Sequence, residues 1–425
     1  MKESIANSHP NCIKIMASFS QRNLDRHSYM EEIMPDYKYL IIGGGMTADS
    51  AVRGIREVDT QGSIGLISAE QSPPYDRPPL SKGLWKGKPE EDIWRETEDR
   101  QVDMHLGQKI NQVDLEGKRA IDENNTIYTY DRLLLATGGT PRELPFGKDH
   151  ILYFRTFEDY KQLREQTQKG RRFAVIGGSF IGSELAAALA MNDEDVVMIF
   201  PRKGIGGGRF PSGLSKFLND YYREKGVEVL NNQRISDLEA RGERLVLKTK
   251  EGQEIIADSV LGGIGIAPNV GVARGAGLEV EDGIVVDEFL RTSHPDVYAA
   301  GDVAAFFNPA LGKRMRVEHE DNANTMGQIA GRNMAGDSSA YHHLPYFYSD
   351  LFDLGYEAVG DTDSKLEIFS DWQDPFKKGV IYYLQEGRVR GVVAWNVWSQ
   401  MEPARQLIAE AGPFSAQDLK GRLPA

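Results

Sequence analysis

Lys38-Tyr39-Leu40-Ile41-Ile42-Gly43-Gly44-Gly45-Met46-Thr47-Ala48 is the stretch on which the fold turns. Its first five residues read as a buried strand, apolar from Tyr39 to Ile42, and Ala51, Val52 and Ile55 follow at helical spacing. Between strand and helix stands G-x-G-x-x-A, the turn that binds a dinucleotide pyrophosphate. Gly43 permits the tight turn, Gly45 lets a pyrophosphate approach the backbone, and Ala48 is small enough for helix to pack on strand. The helix N-terminus adds free N–H groups and a positive dipole end. A second strand, Ser63 to Ile67, leads to Glu70, where a carboxylate takes the ribose hydroxyls of an adenosine.

The pattern recurs. Phe173-Ala174-Val175-Ile176 runs into Gly177-Gly178-Ser179-Phe180-Ile181-Gly182, then into a helix with Glu184, Leu185 and Leu189. Ser179 stands where a middle glycine is usual. The next strand, Val196 to Phe200, ends in Pro201-Arg202-Lys203-Gly204. A cation at Arg202, in place of a ribose-binding acid, favours a 2′-phosphate and so NADPH over NADH; a solvent-facing arginine is the competing reading. Three further strands exit into glycine turns: Ala136-Thr137-Gly138-Gly139, Gly263-Ile264-Gly265 and Gly301-Asp302. The last sets a carboxylate at a strand C-terminal end, where open α/β sheets bind ligands. Two dinucleotide sites in one chain imply electron flow between two nucleotides.

Composition narrows the rest. A chain of 425 residues holds about three domains. The net charge of −13 disfavours nucleic acid as a partner. No apolar run approaches the roughly 18 residues of a membrane span, and a cytoplasmic protein is expected. The one cysteine, Cys12, excludes a CxxC dithiol and a cysteine metal cluster, and the eight histidines show no metal-ligand spacing. Residues 1–36 are polar and aperiodic, rich in acids for a transit peptide, and read as a poorly ordered extension with Met34 the better start.

With Pro74-Tyr75-Asp76-Arg77-Pro78-Pro79-Leu80-Ser81-Lys82 added, these turns resemble the FAD-dependent pyridine-nucleotide oxidoreductases with two dinucleotide domains. Phe200-Pro201-Arg202-Lys203-Gly204, Arg316-Val317-Glu318-His319, the segment from Gly355 to Gly360, the segment from Lys378 to Leu384, and Trp395-Asn396 look most like the apoptosis-inducing-factor group. Bacterial dioxygenase-type ferredoxin reductases come next. The resemblance implies that Arg77, Lys82, Asp302, Glu318 and His319 lie against FAD. It implies that Lys82 pairs with Glu184 beside flavin N5, and that Phe180 is the ring on which nicotinamide stacks. It places the N-terminus of a helix from Asn322 to about Met334 against the flavin. The chain departs from the pattern at Tyr348, where tryptophan is usual over the flavin, at Glu320 and at Arg202. The long regulatory insertion of the animal proteins is absent.

The implied fold is α/β, with two Rossmann-like domains in a glutathione-reductase-like arrangement and a C-terminal α+β domain. The FAD domain spans 37–156 and 271–337, the NAD(P) domain 157–270, and the C-terminal domain 338–425. The resemblance implies that hydride passes from NAD(P)H to FAD. Without a dithiol, electrons then go directly to a ferredoxin or other iron–sulfur protein, or to a quinone or other small acceptor. A redox-sensing binding protein that forms a charge-transfer dimer is the third reading, and a homodimer is implied by the resemblance alone.

Overall fold

The computed structural model describes residues 34–167 and 170–424. The expectation for the N-terminal extension therefore lies almost wholly outside the described residues. In the first unit, parallel strands Asp103–Leu106, Ile64–Ser68, Asp36–Ile42 and Ile127–Leu135 lie side by side. Strand Ile127–Leu135 is long enough to serve two further partners on its other edge: its first half pairs antiparallel with Arg119–Asp122, its last residues parallel with Val297–Ala299. The central strands are apolar at nearly every position because both faces are covered; Leu40, Ile41, Leu133 and Leu134 have no exposed surface. Helix Met46–Val58 lies against helix Glu320–Met334, and the contact is backbone to backbone. A methyl group at Gly331 would sit 2.0 Å from the carbonyl oxygen of Ala51. This close fit anchors the late helix to the first glycine turn.

The second unit is a wholly parallel sheet in the order Glu228–Asn231, Asp195–Phe200, Arg172–Ile176, Ser259–Gly262, Ile151–Tyr153. Its last strand lies before residue 157, where the sequence places the start of the NAD(P) domain. Ile151–Tyr153 has only three residues and no periodicity to betray it, yet it pairs with Val260, Leu261 and Gly262 and so belongs to the second sheet. The chain crosses between the units along two short strands, Gly139–Pro141 and Ile266–Pro268, which pair antiparallel.

The third unit is a five-stranded antiparallel sheet, ordered Tyr346–Leu351, Leu354–Gly360, Arg388–Trp395, Lys378–Gln385, Glu367–Asp374. Helix Met401–Ala409 packs over its centre. Val392, Ala394 and Trp395 are core: Trp395 is fully buried and its indole N–H donates to the Phe376 carbonyl at 2.8 Å. Tyr75, Leu80 and Trp85 from the first unit share one apolar cluster with Phe173 and Leu185 from the second and Tyr383 and Trp395 from the third. That shared core brings three units to one site. Among the described residues, no helix is long and apolar enough to cross a membrane.

Candidate active site

The C-terminal ends of the first sheet's strands face the second unit across a cavity of about 1110 Å³. Gly43 ends strand Asp36–Ile42 with φ +127°, and a Cβ there would lie 2.1 Å from the Ala136 carbonyl oxygen. Only glycine lets the two turns touch. Gly45 caps helix Met46–Val58 without a side-chain bond, and while the Ala48 N–H donates to the Gly45 carbonyl, the N–H groups of Met46 and Thr47 stay open to a ligand. Glu70 lies at the rim in an ion pair with Arg77 and accepts the Tyr75 hydroxyl at 2.7 Å. Arg77 also donates to the Tyr75 oxygen and to the Arg155 carbonyl. Asp302 sits 2.7 Å from the Arg155 guanidinium. These features fit FAD: an open helix N-terminus for pyrophosphate, and carboxylates at two strand ends for hydroxyls.

Deeper in, the segment around Lys82 meets the helix that follows the second glycine turn. Helix Phe180–Met191 carries Glu184, which is 3% exposed and 2.8 Å from the Lys82 ammonium. Lys82 lies between two short 3₁₀ turns, Pro78–Ser81 and Gly83–Lys86. Phe180 meets His319 edge-on at 5.1 Å, and His319 stacks on Phe347 at 4.7 Å. The Arg209 guanidinium lies 4.5 Å from the Phe180 ring centre. His319 is half-buried and lines the cavity. Burial first, then the cations Arg209 and Lys82, lower its pKa to about 3, so the ring is neutral at physiological pH. Tyr348 lies beneath the Lys82 ammonium at 5.2 Å and donates to Glu320 at 2.9 Å. Burial and the Glu320 carboxylate raise its pKa far above the ordinary phenol range.

Of the residues singled out in the sequence, Gly43, Gly45, Glu70, Arg77, Lys82, Ala136, Thr137, Gly138, Asp302, Glu318, His319 and Tyr348 line this cavity, as do Ser179, Phe180, Ile181, Glu184, Gly263 and Gly265. Ala48, Gly182 and Gly301 are buried in the packing behind it. Gly177 and Gly178 form the turn beneath, and Arg202 and Lys203 are exposed beyond its edge. Sequence reading passed over Arg155, Arg209, Phe347, Ser81 and Ser349. Ser81 stands inside the motif quoted for Arg77 and Lys82, and Phe347 and Ser349 flank Tyr348. Arg155 and Arg209 carry no local signal.

The chain matches the model of the pyridine nucleotide-disulphide oxidoreductases over residues 37–327. It belongs to that family. It is an FAD-dependent oxidoreductase of pyridine nucleotides, although its single cysteine leaves no dithiol within the chain. Residues 330–373 and 369–410 match the C-terminal model of mitochondrion-associated apoptosis-inducing factor. Apoptosis-inducing factor 1 of Dictyostelium discoideum is 36% identical, over 91% of this chain and 80% of that protein. Monodehydroascorbate reductase 3 of Arabidopsis thaliana is 31% identical, over 89% and 93%. The ferredoxin–NAD(+) reductase component of a 3-phenylpropionate/cinnamic acid dioxygenase from Photorhabdus laumondii is 31% identical, over 88% and 97%. Among solved structures, a chain of the covalent putidaredoxin reductase–putidaredoxin complex superposes with a TM-score of 0.84 at 27% identity, over 90% and 95%.

Proposed function

We propose that this oxidoreductase carries electrons from NAD(P)H, through bound FAD, to an iron–sulfur protein. One observation carries the reading. Both glycine turns open toward a single junction where Lys82 and Glu184 are paired beside Phe180 and His319. The interleaved order of glutathione reductase follows, with an FAD unit from Asp36 to Pro141 that resumes after Pro268, and an NAD(P) unit between. The turn at Gly43 and Gly45 would hold the FAD pyrophosphate, Glu70 a ribose, and Asp302 with Arg155 the linking chain. The turn from Gly177 to Gly182 would hold the NAD(P)H pyrophosphate, and Arg202 a 2′-phosphate. Bound FAD supplies a two-electron acceptor for hydride and a one-electron donor for a partner. Lys82 supplies a cation where negative charge develops, and Glu184 fixes its direction. Neutral His319 adds no charge. Phe180 covers the nicotinamide position, and Arg209 steadies it by a cation–π contact.

The acceptor reading draws support from the Photorhabdus relative and the reductase–putidaredoxin neighbour. A second reading, reduction of a small acceptor, is favoured by charge. Beside Tyr348 opens a cleft of about 590 Å³ lined by Glu57, Glu320, Asp321 and Glu357 against the single cation Arg53. An acidic iron–sulfur protein would be repelled there. Anaerobic titration of the FAD-loaded protein with NADH and with NADPH, followed by an acceptor screen, tests both. Turnover that requires a carrier protein supports the first reading; equal turnover with quinone alone supports the second. Protein that neither coenzyme bleaches refutes both.

A further inference from the structure

Glu184 accepts three hydrogen bonds, and they come from two other units of the fold. Ser81 and Lys82 of the first unit reach its Oε2, at 2.6 and 2.8 Å. Ser349 of the third unit reaches its Oε1 at 2.6 Å. Both serines are buried, Ser81 at 5% and Ser349 at 1% exposure. An ionised carboxylate only accepts, so both hydroxyls donate to it. Bonds to opposite oxygens stop rotation of the carboxylate plane, a torsion that is otherwise broad. The Lys82 ammonium then has one defined acceptor position.

We infer that Ser349, with Ser81, is a positioning residue: it locks the Glu184 carboxylate so that Lys82 is held at the hydride site. Through Ser349 the C-terminal sheet sets the geometry of a pair contributed by the other two units. This inference rests on the proposed hydride role of Lys82 and Glu184. Ser349→Ala leaves Oε1 without its donor and lets the carboxylate swing. Displacement of about 1 Å at such a centre costs up to about 100-fold in rate. Loss of one restraint of three is expected to slow hydride transfer roughly tenfold.

The test is single-turnover reduction of FAD-loaded protein by NAD(P)H, read by absorbance, together with acylation of the apoprotein. S349A should lower the limiting reduction rate roughly tenfold and leave the coenzyme dissociation constant within about twofold, the signature of lost positioning rather than lost binding. S349T, which keeps the hydroxyl, should restore most of the rate. S81A should act in the same direction. In an E184Q background, S349A should cost little more, because the two residues act as one unit. In the apoprotein, competitive acylation read by mass spectrometry should label Lys82 more in S349A and S81A than in wild type. An S349A rate equal to wild type, or an S349A loss that persists in full with E184Q, overturns the inference. If S349A does not fold, S81A and S349T decide it by the same criteria. Wild type that neither coenzyme reduces overturns the functional reading itself; wild type that is reduced as fast as S349A overturns only the role of Ser349.

Discussion

His319 should make the apoprotein lose stability in mild acid, and the size of the loss follows from its surroundings. Its ring is walled in by Phe180 and Phe347, and the Arg209 and Lys82 cations face it, so the folded pKa falls from 6.5 to about 3. The unfolded chain takes up a proton as pH drops below about 6.5, while the folded chain does not until about pH 3. Stability is therefore intact above the unfolded pKa and is lost as pH falls toward the folded one. At 1.36 kcal/mol per unit, the loss from this one group is about 1 kcal/mol at pH 6 and about 2 kcal/mol at pH 5. Urea unfolding of wild type and His319→Gln at pH 8, 6 and 5 isolates it. Between pH 8 and pH 5, wild type should lose about 2 kcal/mol more than the variant. Parallel losses, within about 0.5 kcal/mol, would refute the buried-neutral assignment.

Lys82→Met removes the cation at the junction and should slow flavin reduction by about 100-fold, with FAD content unchanged; a rate within threefold, on the order of 0.6 kcal/mol, would reject its role. Arg202→Glu should lower the ratio of kcat/KM for NADPH to that for NADH by about 10- to 100-fold, and an unchanged ratio would show that Arg202 does not read the 2′-phosphate. Gly331→Ala drives a methyl group to 2.0 Å from the Ala51 oxygen and forces two helices apart. It should cost about 1–3 kcal/mol in thermal or urea unfolding and weaken FAD retention. Wild-type stability would mean that the contact yields freely.

Both glycine turns are legible in the sequence because their geometry is local. A strand, a glycine that must adopt positive φ and a helix follow one another within a dozen residues, and Gly43 and Gly177 do so at φ +127° and +130°. The same holds for the Gly301-Asp302 turn at the end of Val297–Ala299. The Lys82–Glu184 pair is different. Its members stand 102 residues apart, and only resemblance joins them before the structure shows them 2.8 Å apart.

Local pattern also fails where an element is short or a contact is made by what is missing. Ile151–Tyr153 is too brief to show a period, and its sheet is chosen by pairing with Val260 to Gly262. Nothing around Gly331 announces that Ala51 lies against it. Arg155 and Arg209 are ordinary loop arginines until folding sets one against Asp302 and the other over Phe180.

The amino-acid sequence alone determined the α/β class, the two glycine turns that each join a strand to a helix, and the absence of a dithiol, since each depends on residues adjacent in the chain or on a count. Tertiary structure decided which side chains surround the junction and which charges they carry. Burial and the meeting of Ser81, Glu184 and Ser349 from three units exist only once the chain has closed its shared core.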